Sequence, residues 1–423
     1  MARAARSTRG QAACLGLLTA AWVGCANIQD PPGGPPDFDP PILVAVTPDS
    51  GDVVDGFKDE LEFQFDEVIN ERSGSGLENL IDLSPRSEQV RVSWKRTRIT
   101  VKPKDGWLPG VIYHVTLLTG VADLRNNRLD SARTIIFSTG GPIPDTRLSG
   151  TVVDWAENSV ARGALVEATL LPDSLTYQSQ TDSSGNFELV AVPPGDYLLY
   201  ATVDGNNNRL RDARESYDSV VVRIDSTFEH VFWAFVHDTT GPQIRELTDP
   251  DSLTIRVTFN QMLRPGDTTD VAVQVFAMPD TTPVTVAAVW NEETYDSVSA
   301  VETAIADSIR AALAAEADTL GADSLEVAAP DTAAADTTET EPEVVLDSTA
   351  LAARDSLALE TARIDSLLAQ RPTLSALRFV RLESQLIPGA RYLVVTTAPN
   401  VLGIFAESQT LLILAEPEPR DST

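Results

Sequence analysis

Thiols are nearly absent from this chain of 423 residues: its two cysteines, Cys14 and Cys25, both fall at its very start. Past Cys25 there is neither a disulfide nor cysteine chemistry to consider. Histidine is almost as scarce. His114 lies far in sequence from His230 and His237, which flank the apolar run Val231 to Val236, and each reads as a structural or surface residue rather than a ligand or base. No later stretch approaches about 20 uninterrupted apolar residues, so a second helical membrane span is excluded. A Gly-x-Ser-x-Gly elbow, a phosphate-binding glycine loop and zinc-ligand spacing are all missing. Serine and aspartate abound, but in no supported Ser/His/Asp arrangement. The reading is a protein without catalysis. Basic charge is also short, with 32 Lys and Arg against 62 Asp and Glu, a formal net charge of -30. Such a surface repels phosphate backbones, so nucleic acid is not an expected partner.

What is present begins with a leader. Arg3, Arg6 and Arg9 form a positive segment, and Ala12 to Val23 an apolar run too short for a comfortable transmembrane helix. Trp22-Val23-Gly24-Cys25 follows and resembles the bacterial lipobox, with Trp22 where Leu is usual. That resemblance implies a signal peptide over 1–24, lipidation of Cys25 and a partner in the membrane itself. An ordinary secretory signal with an incidental Cys25 is the alternative. Ala26 stands where Asp would favour inner-membrane retention, so the outer membrane is the expected location. Residues 25–40 are rich in Pro and Gly, which bar helix and sheet and make a tether.

From Pro41 apolar residues recur with period two: Leu61, Phe63 and Phe65; Val90, Val92 and Trp94; Ile99 and Val101; Tyr113, Val115 and Leu117. Turn residues punctuate these runs, which predicts an antiparallel sandwich over 41–140. Pro-Pro-Ile-Leu near the start, Phe65-Asp66-Glu67-Val68, Leu108-Pro109-Gly110 before Tyr113, Asp123 with Asn126-Asn127, and Phe137-Ser138-Thr139-Gly140 come in the order of one family. The segment resembles the Ig-like domain of bacterial S-layer proteins. Over 141–237, Thr181-Asp182-Ser183-Ser184-Gly185-Asn186-Phe187 joins two strands and Val192-Pro193-Pro194-Gly195-Asp196-Tyr197 feeds another. This is similar to prealbumin-like repeats, the collagen-adhesin B-type and carboxypeptidase-regulatory-like domains, and implies a structural spacer fold.

A third unit starts at 238. Leu253, Ile255, Val257 and Phe259 alternate, Leu386 to Tyr392 echoes Leu108 to Tyr113, and Asn400 to Gly403 echoes the Asp123 turn. This is an internal repeat of the first fold, split into 238–290 and 373–415. The interruption, 291–372, is acidic and poor in aromatics. Val298 to Leu313 and Thr349 to Leu368 have helical spacing, while Ala328 to Glu343 is expected to be disordered, as is the tail 416–423. A helical arm and a flexible loop both remain open, and neither promises a rigid site. The fold class is therefore all-β: tandem antiparallel sandwiches, Ig-like and prealbumin-like, with a partly helical or disordered acidic insertion.

One stretch has metal-ligand spacing. Counting Asp204 as position one, oxygen side chains fall at Asp204, Asn206, Asn208, Asp212 and Glu215, and Leu210 offers its carbonyl at seven. That is the ladder of an EF-hand-like calcium loop, so Ca²⁺ is the one expected cofactor, with an affinity on the order of 10⁻⁴–10⁻³ M. Arg209 departs from the pattern at position six, where Gly permits the sharp turn. An Asn-rich turn without a metal is the alternative. Trp94, Trp107, Trp155, Trp233 and Trp290 read as core or inter-domain packing. The expected role is a cell-envelope lipoprotein whose sandwiches serve adhesion, scaffolding or spacing, with envelope proteins, extracellular proteins or glycans as partners. A glycan- or peptide-binding or processing protein, with a site on the sandwich faces, is the alternative.

Overall fold

The computed structural model describes residues 37–87, 89–265, 268–319 and 348–415, without side chains at 315–319 and 348–355. Cys25 and the leader, most of the tether, Ala328 to Glu343 and the tail lie outside the described residues.

The first sandwich contains β1 (Leu43–Thr47), β2 (Leu61–Phe65), β3 (Ile81–Ser84), β4 (Val90–Lys95), β5 (Arg98–Pro103), β6 (Ile112–Leu117) and β7 (Arg133–Ser138). One sheet has the order β1-β2-β5-β4 and the other β3-β6-β7, every pairing antiparallel. Alternation places Leu61, Phe63 and Phe65 inward beside Ile99, Val101, Val115 and Phe137, all buried, while Glu62 and Gln64 face out. Each such side chain contributes about 1.5–3 kcal/mol on leaving water.

The second sandwich contains β8 (Arg147–Asp154), β9 (Ser159–Val160), β10 (Leu165–Leu171), β11 (Leu175–Gln180), β12 (Asn186–Val190), β13 (Gly195–Thr202), β14 (Tyr217–Ile224) and β15 (Thr227–Ala234). Its sheets run β11-β10-β13-β14 and β12-β8-β15, with β9 on β8. β15 pairs with β8 in parallel, a departure from pure antiparallel pairing. The chain crosses from the edge of one sheet to the other after Ile224 and so arrives beside β8 pointing the same way.

The third sandwich contains β16 (Ile244–Asp251), β17 (Thr254–Phe259), β18 (Ala272–Met278), β19 (Thr282–Val284), β20 (Val286–Trp290), β21 (Leu377–Leu382), β22 (Arg391–Pro399) and β23 (Phe405–Ile413). Its first sheet, β16-β17-β21-β20, has the strand order of β1-β2-β5-β4. The likeness reaches single hydrogen bonds. Tyr113 Oη accepts the N–H of Leu108 at 2.7 Å, and Tyr392 Oη accepts that of Ile387 at 2.9 Å. Asp66 and Asn260 likewise each take a strand-start N–H, from Ile42 and Gln243, at 2.8 Å.

In the first sandwich β4 turns directly onto β5 through Arg96, at φ 57°, and Thr97. The third sandwich opens at the same hairpin to admit two helices, α1 (Glu292–Thr319) and α2 (Ser348–Leu368). Asn291 caps α1, its Oδ1 accepting the Thr294 N–H at 2.8 Å, and Glu292 and Glu293 complement the helix dipole. Both helices are docked on rigid neighbours, so the insertion does supply fixed positions. Tyr295 stacks on Phe379 of β21 at 4.1 Å and 6°, and Glu302 pairs with Arg381 at 2.8 Å. α2 reaches away from its own sandwich to the second one.

Candidate functional site

The sequence-chosen loop joins β13 to β14. Asp204 is buried and both its oxygens accept backbone N–H groups, from Asn208 at 3.2 Å and Arg209 at 2.8 Å. Asn206 Oδ1 takes the Asn208 N–H at 2.9 Å, and Asn208 Oδ1 that of Leu210 at 2.7 Å. The amide NH₂ groups of Asn206 and Asn208 both donate to Asp212 Oδ2, at 2.7 and 3.1 Å. Glu215 closes the loop by accepting the N–H groups of Gly205 at 3.1 Å and Asp212 at 3.0 Å. Arg209, the departure at position six, has φ 56°, the left-handed turn that Gly would supply there. The six positions thus share one hydrogen-bonded loop, but Asp204, Asp212 and Glu215 do not converge as three metal ligands would. Arg211 anchors the loop from outside, its guanidinium 3.8 Å from the Tyr200 ring.

Among the described residues one other group does converge. Carboxylate oxygens of Asp37, Glu67 and Asp123 lie within 4.8 Å of one another. Asp123 is buried and accepts the N–H groups of Arg125 and Asn127. Burial first, then Asp123 and Asp37, raise the pKa of Glu67 above the usual carboxylate value. In the third sandwich the equivalent positions hold amides. Asn400 donates to the carbonyls of Asp238 at 2.9 Å and Thr240 at 3.1 Å, and Gln261 to Thr240 at 3.1 Å. Glu67 and Asp123 belong to two separate motifs of the sequence, and only folding joins them to Asp37.

The sandwiches meet through packed joints. Between the first and second, Tyr177 Oη donates to the carbonyl of Ile112 at 3.2 Å, the Ser84 hydroxyl accepts the Gln178 N–H at 3.0 Å, and Arg86 pairs with Glu167 at 3.4 Å. Gln178 also binds Asp82. His114 lies here with its ring 5.4 Å from Tyr177; burial pushes its pKa down to about 4, offset in part by a main-chain bond to Ala191. Between the second and third, Val153, Trp155 and Trp233 bury Leu367 of α2 and Leu374 just beyond it. Trp155 Nε1 donates to the Pro372 carbonyl at 3.0 Å, and the Arg371 guanidinium stands 5.0 Å from both indoles. Arg363 of α2 donates to Asn186 at 3.0 Å and Thr151 at 3.3 Å.

The remaining sequence candidates are structural in their surroundings. His237 stacks on Tyr217 and Phe235 at 3.9 and 4.2 Å, and His230 lies against Phe228 and Phe232. Trp94 and Trp107 donate their indole N–H groups to the Ile69 and Asp59 carbonyls. Trp290 lies near Arg381, 5.9 Å from its guanidinium. No helix among the described residues is long and apolar enough to cross a membrane.

Comparison with known families decides the nature of two modules. Residues 37–139 match the bacterial Ig-like domain. Residues 147–227 match the carboxypeptidase regulatory-like domain. Curated proteins give no match. Similar solved structures include BcpA, the major pilin subunit of Bacillus cereus, at 10% identity over 45% of this chain and 67% of that one, with a TM-score of 0.18. A DUF3823 family protein from Bacteroides uniformis is 11% identical over 64% of this chain and all of that one, with a TM-score of 0.15. The surface layer protein SbsC, domains 1–6, is 10% identical over 90% of this chain and 55% of that one, with a TM-score of 0.18. At these scores the alignments say nothing of how this chain works.

Proposed function

We propose that this protein is a non-catalytic cell-envelope lipoprotein, held through Cys25 to the outer membrane, whose Ig-like and regulatory-like sandwiches form a stiffened spacer or scaffold. The observation that carries this reading is the joint formed by α2. A helix inserted into the third sandwich buries Leu367 against Trp155 and Trp233 of the second, which costs sequence and ordering entropy that a plain linker would avoid. A tandem array needing only to be long would leave its modules on free linkers, whose relative motion is the default. Stiffness is useful where a surface must be presented at a set distance, to envelope or extracellular proteins or to glycans. The test is surface labelling and fractionation of intact cells, comparing the native chain with Cys25→Ala. The native chain should fractionate with membranes and label, whereas Cys25→Ala should be released. Equal fractionation of the two would overturn the anchor.

Calcium at Asp204–Glu215 is a second reading, favoured by the left-handed Arg209 at position six. The donor types suit a hard cation: the Asp204, Asp212 and Glu215 carboxylates, the Leu210 carbonyl and the second lone pairs of the Asn206 and Asn208 oxygens, which also accept the N–H groups of Asn208 and Leu210, make a set of oxygen donors. Such an ion would neutralise the loop carboxylates and hold β13 and β14 together at their shared end.

A further inference from the structure

A pocket of about 900 Å³ lies where α1 and α2 enter and leave the third sandwich. Arg378 of β21 lines it and is only 5% exposed. Strand register shows what this position ordinarily holds. Arg378 pairs with Val257 as Ile99 pairs with Phe63 in the first sandwich, and Ile99 is fully buried there. The repeat has therefore replaced a core isoleucine by a guanidinium at the one hairpin that the helices open. Among the described residues Arg378 makes a single hydrogen bond, from Nη1 to the Leu377 carbonyl at 2.7 Å, and its buried Nε has no partner. Among the described residues it has no ion pair either. Burial lowers its pKa from the usual arginine value, with no neighbouring carboxylate opposing the shift. A buried cation in that condition is costly unless an anion meets it.

The rest of the lining says what else such an anion would carry. Glu292, Glu293 and Asp296 from the first turns of α1 and Asp365 of α2 share the pocket with Arg264 and Arg371. None of these six joins an ion pair among the described residues, so both signs of charge are on offer at once. A simple anion would answer Arg378 and be repelled by the four carboxylates. We infer that this pocket binds a small zwitterion of the amino-acid or short-peptide class, its carboxylate on the Arg378 guanidinium and its ammonium among Glu293, Asp296 and Asp365. The planar fork of Arg suits a carboxylate, and the room exceeds what one residue needs. The assignment goes beyond a scaffold, because it gives the helical joint a ligand.

The experiment titrates the full chain with triglycine, triglycine amide and acetate by calorimetry, beside Arg378→Ile. That variant restores the residue of the first sandwich, so it is expected to fold, and its thermal unfolding serves as the check. A second variant, Asp296→Asn with Asp365→Asn, tests the ammonium end on an intact guanidinium. Saturable binding of triglycine is expected, weakened about tenfold or more for the amide, for acetate and for the double Asn variant, and lost in Arg378→Ile. No saturable heat with triglycine, or undiminished binding by Arg378→Ile, overturns the site. Acetate binding as tightly as triglycine overturns the zwitterion.

Discussion

Trp155 of the second sandwich donates its indole N–H to the carbonyl of Pro372, a residue that follows α2, at 3.0 Å. The same indole packs edge-on to Trp233 and Phe235, with centroids 6.1 and 5.9 Å away. One side chain thus fills the joint and ties down the chain that leaves it. Trp155→Ala would remove both, at a cost of about 3–5 kcal/mol to the joint. Because the core residues of the three sandwiches are separate clusters, the loss should stay local. Hydrogen exchange should rise steeply across 367–375, and protease should cut there, while β2, β5 and β6 keep their protection.

Acid should loosen the other joint. His114 has a folded pKa of about 4 against an ordinary 6.5, burial being the main cause. It is therefore neutral in the folded protein and protonated below about 6.5 once unfolded. The sign follows: its contribution to stability is whole above pH 6.5 and is lost as pH falls from there toward 4, by about 3 kcal/mol in all. Exchange protection around Ile112–Leu117 and Leu175–Gln180 should decline between pH 7 and 5. His114→Leu, which cannot take a proton, should flatten that decline.

The sandwiches were legible because period two and Pro-Gly-turn spacing are local signals. Phe63, Tyr113 and Val115 could be assigned to inward faces from their neighbours alone, and all three are buried. The split of the third sandwich was legible because Tyr392 repeats the setting of Tyr113. The helical spacing over Val298 to Leu313 and Thr349 to Leu368 pointed to both helices but not to where they dock, for a physical reason. The stripe of Val301, Ile305 and Ile309 that announces α1 is more than half exposed, while the contacts that dock the helices use Tyr295 and Leu367 near their ends. An isolated Arg378 gives no sign in sequence of standing in for a core residue. That shows only when β21 is aligned with β5. The Asp37–Glu67–Asp123 cluster was hidden in the same way, by distance along the chain.

Calcium gives a third test. If Asp204–Glu215 holds an ion with the affinity on the order of 10⁻⁴–10⁻³ M seen in extracellular modules, millimolar Ca²⁺ should stabilise the second sandwich by about 1 kcal/mol. Protection of Tyr217 to Ile224 should rise with Ca²⁺ and not with Mg²⁺, whose small octahedral shell fits a long loop poorly. Asp204→Ala should abolish the rise and also cost stability without Ca²⁺, since Asp204 holds the N–H groups of Asn208 and Arg209. A loop that ignores calcium entirely would leave it as a hydrogen-bonded turn.

The first and third sandwiches, alike in the strand order of one sheet, differ in charge at one corner, and that difference can be measured. Where the third has Gln261 and Asn400 in a network of amide and carbonyl groups, the first has Glu67 and Asp123 beside Asp37. Glu67 has a raised pKa from burial and from Asp123 and Asp37, so its charged form is disfavoured in the folded state. The sign is opposite to that of an ion-paired carboxylate: Glu67 detracts from stability at neutral pH, and the loss is recovered as pH falls through its folded pKa. Glu67→Gln copies the third sandwich and should stabilise the first. The gain should be a few tenths of a kcal/mol to about 1, since solvent screens a partly exposed group. Urea unfolding followed by exchange at Leu61–Phe65, with chelator present, should show the gain at pH 7 and its shrinkage as pH falls through the raised folded pKa of Glu67. A gain that persisted unchanged into acid would mean that the amide packs better for reasons other than charge.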